Sequence, residues 1–224
     1  MTLADHTAKW LVGDQLSCVL HLGDSSLAYQ LAEQGHEVTV LSPDVTKIWH
    51  SDVSYVRAAV SRLPFASSVF DVVVTAELDA APSTLGEFAR VLRPRGLLST
   101  LSQSYDDSIP WLRKLHEIIG RPDPDPVTAE TLRASGLFHD PQRKDAGSWQ
   151  NLDLDGLIRF ARSSLPPGDA ETSLHEVRRL WDSYGARTGS LRLRNQTTCL
   201  RAMVDKSALP DEPEPPEVKL FDFR

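Results

Sequence analysis

The chain has 224 residues and a formal net charge of −7, from 31 acidic and 24 basic side chains. A chain of this length can bury the core of one α/β domain. The acidic balance argues against broad binding to nucleic acid or to an anionic membrane, because both need a basic surface. Cys18 and Cys199 are the only two cysteines, too few for a disulfide framework, and no spacing is typical of a zinc site.

The amino-terminal residues lack the basic segment and the apolar core of a secretion signal. No window approaches the run of about 18 apolar residues that a membrane-spanning helix needs. These features predict a cytoplasmic protein with no membrane span and no bound metal.

Short runs rich in Val and Leu alternate with segments whose apolar residues recur every three or four positions, as in buried strands and helices. In chain order the pattern predicts a strand at Ser17–Leu22, a helix at Ser25–Gln34, strands at His36–Leu41, Ser54–Val60 and Val69–Ala76, a helix at Thr84–Leu92, a strand at Gly96–Leu101, helices at Trp111–Ile119, Thr128–Ser135, Leu154–Arg162 and Glu171–Tyr184, and a strand at Leu191–Val204. Strands that are apolar on both faces and separated by helices predict a parallel sheet covered on both sides. The last strand alternates polar and apolar residues, which is typical of an edge or antiparallel strand.

Several phrases occur in a recognisable order along the chain: CVLHLGDSS, HEVTVLSPD, SRLPFASSVFDVVV and FARVLRPRGLL. Together they resemble the class I S-adenosylmethionine-dependent methyltransferases of the bacterial type 11 group, from Trp10 to Val204. The resemblance implies an α/β, Rossmann-like fold with a mainly parallel seven-stranded sheet and helices on both faces. It also implies S-adenosylmethionine as the cofactor, bound at the carboxyl ends of the first strands, and a small molecule as the methyl acceptor.

The resemblance assigns cofactor contacts to the loop after the first strand. Members of the family carry an acid near the end of that strand and then a GxGxG loop, whose glycines let the backbone approach the ligand. Here the acid position is His21, and the loop keeps Gly23 followed by Asp24. Gly23 and Asp24 are therefore the candidate cofactor residues of this loop.

Two further acids are expected from the resemblance. The acid after the second strand, which accepts hydrogen bonds from the ribose hydroxyls, is replaced by Ser42, with Asp44 two residues further on as a substitute. The acid that receives the adenine amino group falls at Ala59 or Val60, neither of which has an accepting side chain. Ser42, Asp44 and the nearby Leu63 complete the candidate cofactor set.

These replacements favour weakened cofactor binding. A hydrogen bond to a charged group contributes about 1.5–3 kcal/mol, and each ~1.4 kcal/mol is a tenfold change in affinity. The sequence therefore favours a binding or regulatory pseudoenzyme. An active transferase with an atypical pocket, in which Asp24 and Asp44 compensate, remains an alternative, as does a pocket re-used for another metabolite. Glu77 and Asp79 lie where a methyl-acceptor base could sit, but no catalytic residue is assigned.

The composition changes after the last predicted strand. We expect residues 1–204 to form the methyltransferase-like domain and residues 205–224 to form an acidic, proline-rich tail. Pro210–Arg224 contains five acids, two bases and four prolines, a composition typical of disorder. Its apolar end, Val218–Arg224, is a candidate segment for docking to a protein partner.

Overall fold

The computed structural model describes residues 4–23, 25–42, 50–76, 78, 80–106, 108–120, 128–165 and 170–209. Asp24, Asp44, Glu77, Asp79 and the tail segment Pro210–Arg224 lie outside the described residues.

These ranges contain seven α-helices and seven strands. The helices are α1 (Asp5–Val12), α2 (Ser25–Glu33), α3 (Pro82–Val91), α4 (Pro110–Ile119), α5 (Ala129–Ala134), α6 (Leu154–Ser164) and α7 (Ala170–Tyr184). The strands are β1 (Cys18–Leu22), β2 (Glu37–Leu41), β3 (Val53–Val56), β4 (Phe70–Thr75), β5 (Leu92–Tyr105), β6 (Phe138–Leu152) and β7 (Leu191–Val204). None of the helices in the described ranges is long and apolar enough to span a membrane.

The seven strands form one sheet in the order β3-β2-β1-β4-β5-β7-β6. The first five pair in parallel, and β7 lies antiparallel between β5 and β6. The predicted mainly parallel, seven-stranded sheet with helices on both faces is confirmed. The antiparallel alternative for β7 is correct, and the edge alternative is wrong because β6 covers its outer side.

Two elements are not predicted by the sequence pattern. β6 spans 15 residues and most of them are exposed, so it lacks the apolar signal of a buried strand. The short helix α1 precedes β1 and buries Ala8, Leu11 and Val12. Both elements matter for the site described below.

The core is built on both faces of the sheet, because neighbouring residues of a strand point in opposite directions. On one face Leu20 and Leu98 pack with Phe88 of α3. On the other, Val19 packs with Leu11 of α1 and with α2. A third cluster joins α4, α6 and α7 to the far end of β6 and β7.

Charged side chains hold the amino-terminal edge of the sheet together. Arg93 Nη1 lies 2.8 Å from both carboxylate oxygens of Asp71, and the backbone N–H of Cys18 donates to Asp71 Oδ2 at 2.8 Å. Gly96 permits the close approach of these chains, because a Cβ there would lie 2.8 Å from the carbonyl oxygen of Arg93. β1, β4 and β5 are thereby joined at one point.

The boundary predicted at residue 204 stays a prediction. The chain continues past β7 with a 3-10 turn at Lys206–Ala208. Lys206 Nζ donates to the carbonyl oxygens of Ala89 and Arg90 at 2.8 Å each. Leu209 packs against the α3 side of the core, so the described part of the tail contacts the domain.

Candidate cofactor edge and a neighbouring cavity

The carboxyl ends of β1, β2 and β4 meet at one edge of the sheet. Leu22 of β1 pairs with Leu41 of β2 and with Thr75 of β4. Gly23 and Ser42 are therefore the first residues beyond two paired strand ends. The strand order reverses between β1 and β4, and open α/β sheets bind ligands at such a switch point. This edge is where a cofactor would be expected.

Gly23 adopts a left-handed backbone conformation, with φ +124°. A Cβ at this position would lie 3.1 Å from the Cβ of Ala76, the first residue after β4. Ala76 also donates its backbone N–H to the carbonyl oxygen of Leu22 at 3.2 Å. A larger residue here would therefore crowd the segment that follows β4. Gly23 allows the loops after β1 and β4 to pack closely.

His21 and Ser42 occupy two of the positions that the resemblance assigns to acids. His21 is 1% exposed and lies between Val40 of β2 and Val74 of β4, so it is part of the sheet interior. Ser42 is half-buried, and its backbone N–H donates to the carbonyl oxygen of Val56 at 3.1 Å. A single hydroxyl cannot make the bidentate, charge-assisted contact of a carboxylate.

Leu63 lies in the packing between the segment after β3 and helix α3. Its side chain is 4% exposed and belongs to the α3 cluster. Its backbone N–H donates to Glu87 Oε2 at 2.7 Å, and its carbonyl accepts from Arg90 Nη2 at 3.1 Å. Arg90 also holds the pKa of the Glu87 carboxyl below its ordinary value. These contacts are structural, and a role of Leu63 toward a cofactor stays a prediction.

The described residues do not fit the acidic contacts that S-adenosylmethionine is expected to make. The positions assigned to acids carry the imidazole of His21, the hydroxyl of Ser42 and the apolar side chains of Ala59 and Val60. The two remaining candidate carboxylates, of Asp24 and Asp44, lie outside the described residues. We therefore derive no chemical step through the cofactor.

A cavity of about 700 Å³ lies on the α1 face of the sheet, between α1 and α6. Its floor consists of two rows of cross-strand neighbours from β5, β7 and β6. One row contains Gln103, Thr197 and Ala146, and the next contains Tyr105, Asn195 and Ser148. Because residues directly opposite in antiparallel strands share a face, all six face the cavity side.

Three titratable side chains, those of His6, Tyr105 and Asp145, are among the residues that line the cavity. Burial raises the pKa of the Tyr105 phenol, so that its hydroxyl stays neutral. Asp145 contributes to the lining, but its carboxylate accepts hydrogen bonds from Arg143 Nε at 2.9 Å and from Thr198 Oγ1 at 2.8 Å. These bonds lower the pKa of Asp145, and its negative charge is paired with the guanidinium of Arg143.

The sequence pattern does not locate this cavity, because five of its thirteen lining residues belong to β6, which the pattern does not predict. The one available signal is in β7, where Asn195 and Thr197 interrupt an otherwise apolar face between Leu193 and Cys199. On a covered sheet face, polar residues at these positions indicate that something other than a helix packs on them.

The strand order, with an antiparallel β7 inserted between β5 and β6, is that of the class I S-adenosylmethionine-dependent methyltransferases. Solved structures agree. A structure described as a type II methyltransferase from Anaeromyxobacter dehalogenans superposes with a TM-score of 0.62 at 18% sequence identity. The superposition covers 93% of this chain and 97% of that one. The YcgJ protein of Bacillus subtilis gives 0.57 at 13% identity, over 90% and 97%. At these identities the likeness shows the fold.

Sequence comparisons define the family. The family model described as "Methyltransferase domain" matches residues 20–100. Uncharacterized methyltransferases of Mycobacterium bovis and Mycobacterium tuberculosis are 31% identical over 214 residues, covering 87% of this chain and 86% of each relative. The chain belongs to this methyltransferase family.

Proposed function

We propose that this member of the family binds S-adenosylmethionine weakly and acts as a binding or regulatory protein rather than as an efficient transferase. The observation that carries the proposal is the composition of the carboxyl-terminal edge, where His21 and Ser42 stand at two acid positions. Gly23 is the one glycine kept from the GxGxG pattern that the resemblance expects in this loop, and this supports the proposal.

The lost hydrogen bonds are large enough to weaken cofactor affinity substantially. Each charged hydrogen bond lost from a cofactor costs about 1.5–3 kcal/mol. Two such losses together correspond to roughly a hundredfold or more in the dissociation constant. A micromolar site would therefore become a near-millimolar one. The acidic tail as a docking segment and a cytoplasmic location remain predictions from the sequence.

Isothermal titration of the full chain with S-adenosylmethionine tests the proposal. We expect no saturable heat at micromolar concentrations and, at most, weak binding near the millimolar range. A dissociation constant in the low micromolar range contradicts the proposal. Circular dichroism of the same sample shows that the protein titrated is folded.

A second candidate is an active methyltransferase in which Asp44 replaces the missing ribose ligand. It is favoured by the position of Asp44, two residues beyond Ser42 at the end of β2. The variant Asp44→Ala, with Asp52→Ala as an exposed control on the neighbouring segment, separates the two candidates. A loss of cofactor binding in Asp44→Ala alone supports the second candidate, and equal titrations for both variants remove its basis.

A further inference from the structure

The cavity between α1 and α6 lies on a polar part of the sheet face, with an apolar cluster on each side of it. On one side of it, Leu101 and Cys199 pack under α1. On the other side, Leu191 and Leu193 pack under α4, α6 and α7. Between these apolar clusters, β5 and β7 place Gln103, Asn195 and Thr197 toward the same face. Tyr105 faces the same way, and its side chain also packs against the second cluster.

Polar residues interrupt the apolar sheet face at these two rows. A helix packed on these positions would favour apolar residues, as it does at the flanking rows, because burying a polar group without a partner costs free energy. Thr197 is 6% exposed, Tyr105 and Asn195 are half-buried, and Gln103 and Ser148 are exposed, so the floor runs from the sheet interior to the surface. The floor is suited to a ligand that brings its own hydrogen-bonding groups.

The residues that line the cavity also limit the shape and the charge of a ligand that could bind there. Phe160 of α6 packs edge-on against the Tyr105 ring, with 5.3 Å between the ring centroids. The two rings form an aromatic wall beside a floor of amides and hydroxyls. The Asp145 carboxylate is bound to Arg143 and Thr198, so it does not offer a free anion to a cationic ligand.

We propose that this cavity binds a small uncharged ligand rich in hydroxyl groups, of the class of neutral sugars and glycosides. Amide and hydroxyl side chains hydrogen-bond such a ligand, and its apolar ring face packs on Tyr105 and Phe160. A volume of about 700 Å³ lies within the usual range of small-molecule sites, roughly 300–1,000 Å³. The proposal does not depend on cofactor binding.

Saturation-transfer NMR on the full chain tests it, with methyl β-glucoside, N-acetylglucosamine and trehalose as neutral probes. Glucuronate and glucose 6-phosphate serve as charged analogues, and 2-naphthol as an apolar ring without the hydroxyl set. We expect signal from at least one neutral probe and little from the charged analogues or naphthol. Silence from all three neutral probes, or equal or stronger binding of a charged analogue or naphthol, overturns the proposal.

Paired variants test whether the ligand binds in this cavity. Asn195→Leu removes an amide from the floor, and Asn151→Leu makes the same change at an exposed position on the opposite face of β6. We expect at least a tenfold loss of affinity in the first and none in the second. If Asn195→Leu does not fold, Ser148→Trp fills the cavity, with Ser104→Trp as its opposite-face control. Equal affinities within the folded pair contradict the assignment.

Discussion

The two edges of the sheet use their side chains differently. At the amino-terminal edge, Asp71 joins three strands through Arg93 and the Cys18 backbone. A second charged pair, Glu87 with Arg90, fastens the loop at Leu63 to α3. At the carboxyl-terminal edge, the positions that the family uses for acids carry His21 and Ser42.

The contrast separates assembly from cofactor binding. The charged groups that hold strands and helices together are present with short, well-directed hydrogen bonds. At the carboxyl-terminal edge, two described positions that the resemblance assigns to acids, His21 and Ser42, carry no carboxylate. Under the proposed function, the two edges serve different purposes, and variants at each edge can test them separately.

The largest expected effect is at Gly96, on the assembly edge. In Gly96→Ala the added Cβ would meet the backbone oxygens of Arg93 and Asp71 at 2.8 and 3.1 Å. Because neither is a flexible side-chain end, we expect a loss of about 2 kcal/mol in the free energy of unfolding. Urea denaturation measures it.

The matched control is Gly86→Ala in α3, where an added Cβ meets nothing within 4 Å. Alanine in a helix interior should stabilise the protein by about 0.5–1 kcal/mol. If both substitutions change stability by the same amount, the close packing at Gly96 does not hold the strands together.

A smaller effect is expected from Glu87→Gln, which keeps the acceptor for the Leu63 N–H but removes the charge. The pKa of Glu87 is lowered in the folded state, chiefly by its hydrogen bond from Arg90. Its contribution is therefore present above the unfolded pKa, about 4.3, and is lost as the pH falls through the folded pKa. Because both side chains are partly exposed, we expect about 1 kcal/mol.

Urea denaturation of the wild type and Glu87→Gln at pH 7 and at about pH 3 measures this contribution. The wild type should be the more stable at pH 7, and the difference should shrink at the acidic pH. A difference that is the same at both pH values contradicts the role of the Glu87 charge.

The smallest effect concerns the thiol at the assembly edge. Partial burial and the hydrogen bond from Cys18 Sγ to Glu37 raise the pKa of Cys18, whereas Cys199 is buried and its pKa is raised to about 11. Thiolates are the reactive form, so Glu37→Gln should speed modification of Cys18 by a few-fold. A disulfide reagent used near pH 8 follows the rate.

The control is Glu33→Gln, an exposed residue at the end of α2. It should leave the rate of Cys18 modification unchanged, and Cys199 should react only after unfolding. An unchanged rate in Glu37→Gln shows that the carboxylate does not influence the thiol.

Much of the sheet could be predicted because its central strands are apolar on both faces. β1, β2 and β4 are rich in Val and Leu, and the structure confirms them as parallel strands. β6 could not be predicted, because an edge strand exposed on most of its length keeps polar residues and needs no apolar period. The cavity was missed with it.

The candidate site was predictable only in part. Gly23 and Ser42 do lie together at the ends of β1 and β2, as the order of motifs implies. The sequence could not reveal that Ala76 packs close to Gly23, since that contact joins residues distant in the chain. The side chain of Leu63 packs in the core, and its role toward a cofactor stays a prediction.

The central claim is that the missing carboxylate after β2 weakens cofactor binding. The most direct test is the dissociation constant of S-adenosylhomocysteine, measured by isothermal titration for the wild type and Ser42→Asp. Ser54→Asp, at an exposed position of β3, is the control. Restoring one charge-assisted contact should tighten binding at least about tenfold in Ser42→Asp only. Low-micromolar binding by the wild type, or equal constants for wild type and Ser42→Asp, would contradict the account.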